Sequence, residues 1–203
     1  MAEPATREQQ WRDDLALARR CVEGDRAAQR SLYDREKRRV HATLYRVFGS
    51  NQHIDDAIQE TFLQVFRSLG NFRGESSLAT WIDRCAVRVA YAHLTSRKRS
   101  GPVLEVVADI PAGDPSAERR ALAREAARRL YAELDLLDAK QRIAFTLHEL
   151  DGCSLAETAE RMDATLVATK ARVWRARRQI EARAQKDEAL RAFVVTRGGE
   201  ERS

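Results

Sequence analysis

The sequence predicts an all-α protein: two small helical domains joined by a flexible linker. Three observations carry this reading. Ala, Leu, Arg and Glu recur throughout the 203 residues, against nine glycines and four prolines, and such side chains lose little rotamer freedom in a helix. Apolar residues repeat at steps of three and four over long stretches, and no stretch alternates with a sustained period of two. Three of the four prolines, Pro102, Pro111 and Pro115, fall within 100–117 between two blocks of helical pattern. The predicted boundaries are 13–99, a linker at 100–117, 118–186, and a C-terminal tail at 187–203.

In the first domain, residues 25–48 place Leu32, Val40, Leu44 and Val47 on one helical stripe, and Gly49-Ser50-Asn51 ends it. A short extra helix is expected at 13–22. The next helix carries Ile54, Ile58, Phe62, Val65 and Leu69 and stops at Gly70. A polar loop, Asn71–Ser77 ("NFRGESS"), follows. The helix after it repeats the pattern at Leu78, Trp81, Cys85, Val89 and Ala92, with Ser76 or Ser77 as N-cap. It runs on to Arg97, Lys98 and Arg99, side chains suited to phosphate.

The second domain has a sharper pattern. "DAKQRIAFTLHEL" is followed by "DGC", "SLAETAERM", "DA" and "TLVATKARVWRARRQIEARA". Ser154 and Glu157 have capping-box spacing, which starts a helix directly after Asp151-Gly152. Three helices with such short turns, the middle one about nine residues, are the layout of a helix-turn-helix. In the last helix Leu166, Thr169, Val173, Ala176 and Ile180 are expected to face inward. Lys170, Arg172, Arg175, Arg177, Arg178 and Arg183 take the other faces. Such a run is often only a solvated face, but the capped helix directly before it favours duplex DNA.

The net charge of +5 and pI of about 9.4 fit a polyanionic partner. Cys21, Cys85 and Cys153 are far apart and odd in number, which reads as buried thiols in a reducing cytoplasm. No apolar run approaches the roughly 20 residues of a membrane span, so a cytoplasmic protein is expected. His41, His53, His93 and His148 have no metal-ligand spacing, and no phosphate loop or nucleophile–base motif occurs. Neither a cofactor nor an enzymatic activity is expected.

"DDAIQETFLQVFRSLGNFRGESSLATWIDRCA" resembles region 2 of the extracytoplasmic-function sigma factors of bacterial RNA polymerase, and "LDLLDAKQRIAFTLHELDGCSLAETAERMDATLVATKARVWRARRQI" resembles region 4. The resemblance implies a promoter-specificity subunit whose partners are core RNA polymerase (β′ clamp helices and β flap), promoter DNA and an anti-sigma factor. It assigns polymerase docking to Asp55, Asp56, Gln59 and Glu60, with Phe62 nearby. Asp55 and Asp56 also suit a helix N-terminus on their own account. It assigns −10 DNA to Asn71, Phe72, Arg73, Gly74, Glu75, Ser76, Ser77, Trp81, Arg88, Arg97, Lys98 and Arg99, the loop capturing a base flipped out of the stack. Trp81, on the apolar stripe, equally reads as a core residue that holds the loop in shape. The −35 element falls to Thr165, Ala168, Lys170, Ala171, Arg172, Trp174, Arg175 and Arg178. Arg88, Ala92, Val167, Ala171 and Trp174 depart from the usual family residues, so base preferences do not carry over. The alternative is a helix-turn-helix regulator that is not a polymerase subunit, which leaves the acidic helix and the loop unexplained.

Overall fold

A computed structural model describes residues 7–100 and 117–185, with side chains over 9–96 and 124–185. The expected linker at 100–117 and the tail at 187–203 therefore lie almost wholly outside the described residues. Within them the chain forms eight α-helices and no strand: α1 (Arg7–Val22), α2 (Arg26–Phe48), α3 (Ile54–Ser68), α4 (Leu78–Ser100), α5 (Ala117–Asp135), α6 (Ala139–Phe145), α7 (Leu155–Arg161) and α8 (Leu166–Ala184). A 3₁₀ turn, Leu69–Asn71, follows α3, and a π-helical turn, Thr146–Leu150, continues α6.

The first domain packs α2, α3 and α4 together, with α1 across them. Asp25 caps α2 by accepting from the N–H groups of Ala27 and Ala28, and Gly49 closes it in a left-handed conformation. The α2 stripe is as expected: Leu32, Val40, Leu44 and Val47 are fully buried. So is that of α3, where Ile54, Ile58, Phe62, Val65 and Leu69 all enter the core. Two expectations are corrected. The first helix begins at Arg7, six residues before the expected start. In α4, Ala92 is exposed and Trp81 half-buried, while Ile82, Ala86, Val87, Ala90 and Leu94 are buried beside Cys85 and Val89. The reason is that α4 touches α2 and α3 on one side and α6 and α7 on the other. It buries a broad arc rather than a stripe.

The second domain has the expected helix-turn-helix. Ser154 accepts from the Glu157 N–H at 3.2 Å while the Glu157 carboxylate accepts from the Ser154 N–H at 2.8 Å. Thr165 caps α8 through the Ala168 N–H. Thr169, Val173, Ala176 and Ile180 face inward, but Leu166, expected with them, is 43% exposed. It lies in the first turn, where the short α7 does not cover it.

The two domains are docked on one another. Ala139, Ile143 and Leu147 join the apolar core of the first domain. Around them the seam is polar. Arg142, buried at 2% exposure, donates from Nε to the Val47 carbonyl (2.7 Å) and from Nη2 to that of Phe48 (2.9 Å), capping the C-terminus of α2, and pairs with Asp135. Tyr131 lies against Gly49 and donates its hydroxyl to the Arg46 carbonyl at 2.9 Å; burial pushes its pKa up to about 12. Asp151 pairs with Arg46, and Asp83 with Arg39 and Arg161. Burial raises the pKa of both acids.

Candidate nucleic-acid and polymerase interfaces

Three surfaces carry the residues singled out from the sequence. The first is the outer face of α3. Asp55, Asp56 and Gln59 are exposed, while the Glu60 carboxylate lies 2.9 Å from His93 Nε2. Phe62 does not reach this surface: it is 4% exposed and its ring meets Tyr33 at 4.6 Å. It forms the floor of a groove of about 410 Å³ that Tyr33, Lys37, Asp55, Gln59 and Leu63 also line. Leu63, missed in the sequence, is 47% exposed among these acids. Its step of four from Gln59, which puts it on the same helix face, was the available signal.

The second surface is the 71–77 loop with α4. Ser77 caps the helix, its hydroxyl accepting from the Thr80 N–H at 3.0 Å. The next N–H, that of Leu78, donates to Asp14 of α1 at 2.9 Å, and Asp14 also pairs with Arg35 at 3.0 Å. Gly74 has φ of 75°, and a Cβ there would lie 3.1 Å from Leu15. Both the left-handed turn and the close approach to α1 therefore require glycine. The loop is held in shape at both ends, yet among the described residues nothing accepts from the N–H groups of 74–77. These donors, with the exposed Asn71, Arg73 and Glu75 and the half-buried Ser76, make the loop surface polar. Beside it Phe72 and Trp81 meet edge to face, centroids 6.0 Å apart. Trp81 is half-buried and packs against the core of the first domain. Arg88 is exposed further along α4. The side chains of Arg97, Lys98 and Arg99 lie outside the described residues.

Asp14 was not legible in the sequence, because an acid in a polar N-terminal helix carries no sign of a tertiary partner. It begins a chain of charges through Arg35, Glu36, Arg39 and Asp83 to Arg161 of α7. The network gives each buried acid a cation, which makes such burial tolerable.

The third surface is α8. Lys170, Trp174, Arg175 and Arg178 are exposed, with the Arg178 guanidinium 5.4 Å from the centre of the Trp174 ring. Ala171 is half-buried. Arg177 pairs with Glu149 at 2.6 Å and Arg183 with Glu133 at 3.3 Å, so both serve the fold. Thr165, Ala168 and Arg172 face α4 instead, across a cleft of about 400 Å³ that Arg88 also lines. Acids of the second domain meet the arginines of α4 there. Arg84 donates to the Glu160 carbonyl at 2.9 Å and pairs with its carboxylate, and Arg88 lies 3.4 Å from Asp163. Asp163 itself has φ of 49°, in the turn before α8.

The buried Cys21, Cys85 and Cys153 have thiol pKa values raised by burial, as fits core thiols. Among the described residues no helix is long and apolar enough to cross a membrane, and no cluster could hold a metal ion.

Comparisons with known proteins agree with this arrangement. Residues 32–100 match the family model for sigma-70 region 2, and residues 127–180 that for sigma-70 region 4. The ECF RNA polymerase sigma-E factor of Haemophilus influenzae is 33% identical over 181 residues, covering 85% of this chain and 95% of the relative. The RNA polymerase sigma-H factor of Pseudomonas aeruginosa is 31% identical over 177 residues, covering 83% and 92%. Two solved structures share the fold: CnrH in complex with the cytosolic domain of CnrY (TM-score 0.59, 23% identity, 86% of this chain and 98% of that one), and the sigma factor RpoE in complex with the anti-sigma factor NepR from Bartonella quintana (TM-score 0.55, 21% identity, 78% and 97%). An acidic helix, an anchored polar loop and a basic helix-turn-helix, in this order and with these relatives, place the chain in the ECF family of RNA polymerase sigma factors.

Proposed function

We propose that this sigma factor docks on core RNA polymerase through the outer face of α3 and reads promoters through the 71–77 loop and α8, acting by binding and not by catalysis. Asp55, Asp56, Gln59 and Leu63 form the polymerase contact, with Phe62 beneath it; basic residues of the β′ clamp helices are the complementary surface. Glu60, turned toward His93, sets the edge of that patch. The second domain sits on the β flap. The work is done in the cytoplasm, where an anti-sigma factor holds the chain in reserve, as the neighbour solved with NepR suggests.

The observation that carries this reading is the loop. Extracting a base from the stack costs a few kcal/mol, which a site must return through hydrogen bonds and stacking. Backbone N–H groups of 74–77 without acceptors among the described residues, fixed by Asp14 and Gly74, supply preorganised donors. A helix-turn-helix regulator needs neither that loop nor an acidic α3.

The test is in-vitro transcription with bacterial core polymerase and a promoter library, comparing the native chain with Asp55→Lys/Asp56→Lys. Both acids are exposed, so the fold should survive within about 1 kcal/mol. The native chain should give core-dependent, promoter-selective transcripts and the variant none. A folded variant that binds core as tightly as the native chain removes α3 from the interface.

A further inference from the structure

Val167 is the most exposed large apolar residue among those described, at 78%, and Trp174 is 60% exposed. They are seven residues apart, so they share one face of α8 about two turns, or roughly 10 Å, apart. Ala171 lies between them on that face, small enough to let the helix backbone approach a surface closely. Lys170 and Arg175 flank the strip, both exposed and without an ion pair among the described residues. Arg178 continues it.

Folding gives no reason for Val167. It touches no core, and a β-branched residue is a poorer helix former than alanine. An apolar strip walled by cations fits a surface that is apolar at its centre and anionic at its rims. The major groove of a duplex has that character wherever a thymine stands: its C5 methyl is the apolar group on the base edges, and phosphates run along both walls. The first turn of a recognition helix, where Val167 sits, is the part that enters most deeply.

We propose that Val167 determines specificity by packing on a thymine methyl of the −35 element, with Trp174 closing the apolar strip two turns further along. This rests on the reading of α8 as the −35 reader. It differs from the arginine-based reading of the helix, because it predicts a base position that is recognised without any hydrogen bond.

The experiment uses the holoenzyme and one chemical change. A −35 element is first selected from a randomised duplex library bound by the native chain on core polymerase. The selected duplex is then rebuilt with deoxyuridine at each −35 thymine in turn, which removes only the C5 methyl. At one position the change should weaken holoenzyme binding about fourfold, the worth of one buried methyl. Val167→Ala should bind the thymine duplex as weakly as the native chain binds the uracil duplex, and should no longer tell the two apart. The substitution is at an exposed helical site and favours the helix, so folding is not at issue. A selected element without thymine, equal binding of thymine and uracil duplexes by the native chain, or undiminished discrimination by Val167→Ala each overturns the proposal. A holoenzyme that forms and melts promoters but ignores the −35 sequence overturns it together with the reading of α8, a failure visible at the selection step.

Discussion

Replacing Arg142 by alanine tests the seam between the domains most directly. Its side chain is 3% exposed and reaches three acceptors: the carbonyls of Val47 and Phe48, and the Asp135 carboxylate. Asp135 is 32% exposed, so losing the guanidinium leaves it wet and costs little. The carbonyls are different. They close the last turn of α2, and each buried acceptor left without a donor costs about 1–3 kcal/mol, or about 2–6 kcal/mol for the pair. That penalty has an escape route, because parting the domains lets water reach both carbonyls. The loss is therefore capped by the docking energy, and Arg142→Ala should undock the second domain before it unfolds either one. Denaturation followed by tryptophan fluorescence, with Trp81 in the first domain and Trp174 in the second, should split into two transitions. Small-angle scattering should show a larger radius of gyration before any helix is lost. Arg142→Lys should recover part of the effect, since an ammonium cannot span both carbonyls. A single transition within about 0.5 kcal/mol of the native chain, at unchanged radius, would refute the argument.

Other consequences follow from single contacts. Gly49→Ala should also loosen the seam, by about 1–2 kcal/mol for the left-handed backbone plus the displacement of Tyr131, whose ring would lie 2.1 Å from the new Cβ; scattering and denaturation read both. Asp14→Ala should leave the Leu78 N–H without its acceptor and cost about 1–3 kcal/mol, with promoter opening, measured by permanganate reactivity of unpaired thymines, falling more than core binding. Ser154→Ala should cost about 1 kcal/mol through loss of the α7 cap. Glu157 has a folded pKa held below its usual 4.5 by donors on Ser154, so its contribution is full above that value and lost as pH falls through the depressed one. Glu157→Gln should flatten that part of the stability–pH curve; an unchanged acid limb would show that the box is not formed in solution.

Local rules made much of this molecule legible. The stripes on α2 and α3 come straight from periodicity, because each of those helices buries one face. Ser154 and Glu157 announced α7 because a capping box is satisfied within four residues. What stayed hidden depends on distant partners. Ala92 looked like a core position because one stripe of α4 is readable, whereas α4 is covered from two sides and buries a different, broader arc. Nothing local marks Arg142 in the sequence, and only the docked C-terminus of α2 makes it a cap. Leu166 followed the α8 stripe but begins it one turn too early for α7 to cover. At the candidate site, the loop residues were visible as composition, while their anchors Asp14 and Leu15 sit about 60 residues away.

The docked seam bears on how tightly this chain can hold a promoter. Elements named −10 and −35 are about 25 base pairs apart, which is about 85 Å of duplex at 3.4 Å per pair. Here Arg88 on α4 and Thr165, Ala168 and Arg172 on α8 face each other across one cleft of about 400 Å³. On the proposed assignments, Arg88 and these α8 residues could not both lie on their elements while that cleft is closed. On that reading, parting the domains would be an equilibrium in series with binding, and the apparent dissociation constant would be the intrinsic one divided by the parted fraction. If one molecule in a hundred is parted, affinity for a full promoter drops a hundredfold while affinity for either element's isolated contacts in the parted form is untouched. Glu160 and Asp163, which pair with Arg84 and Arg88 in the docked form, would then bear on promoter occupancy from outside the proposed DNA contacts.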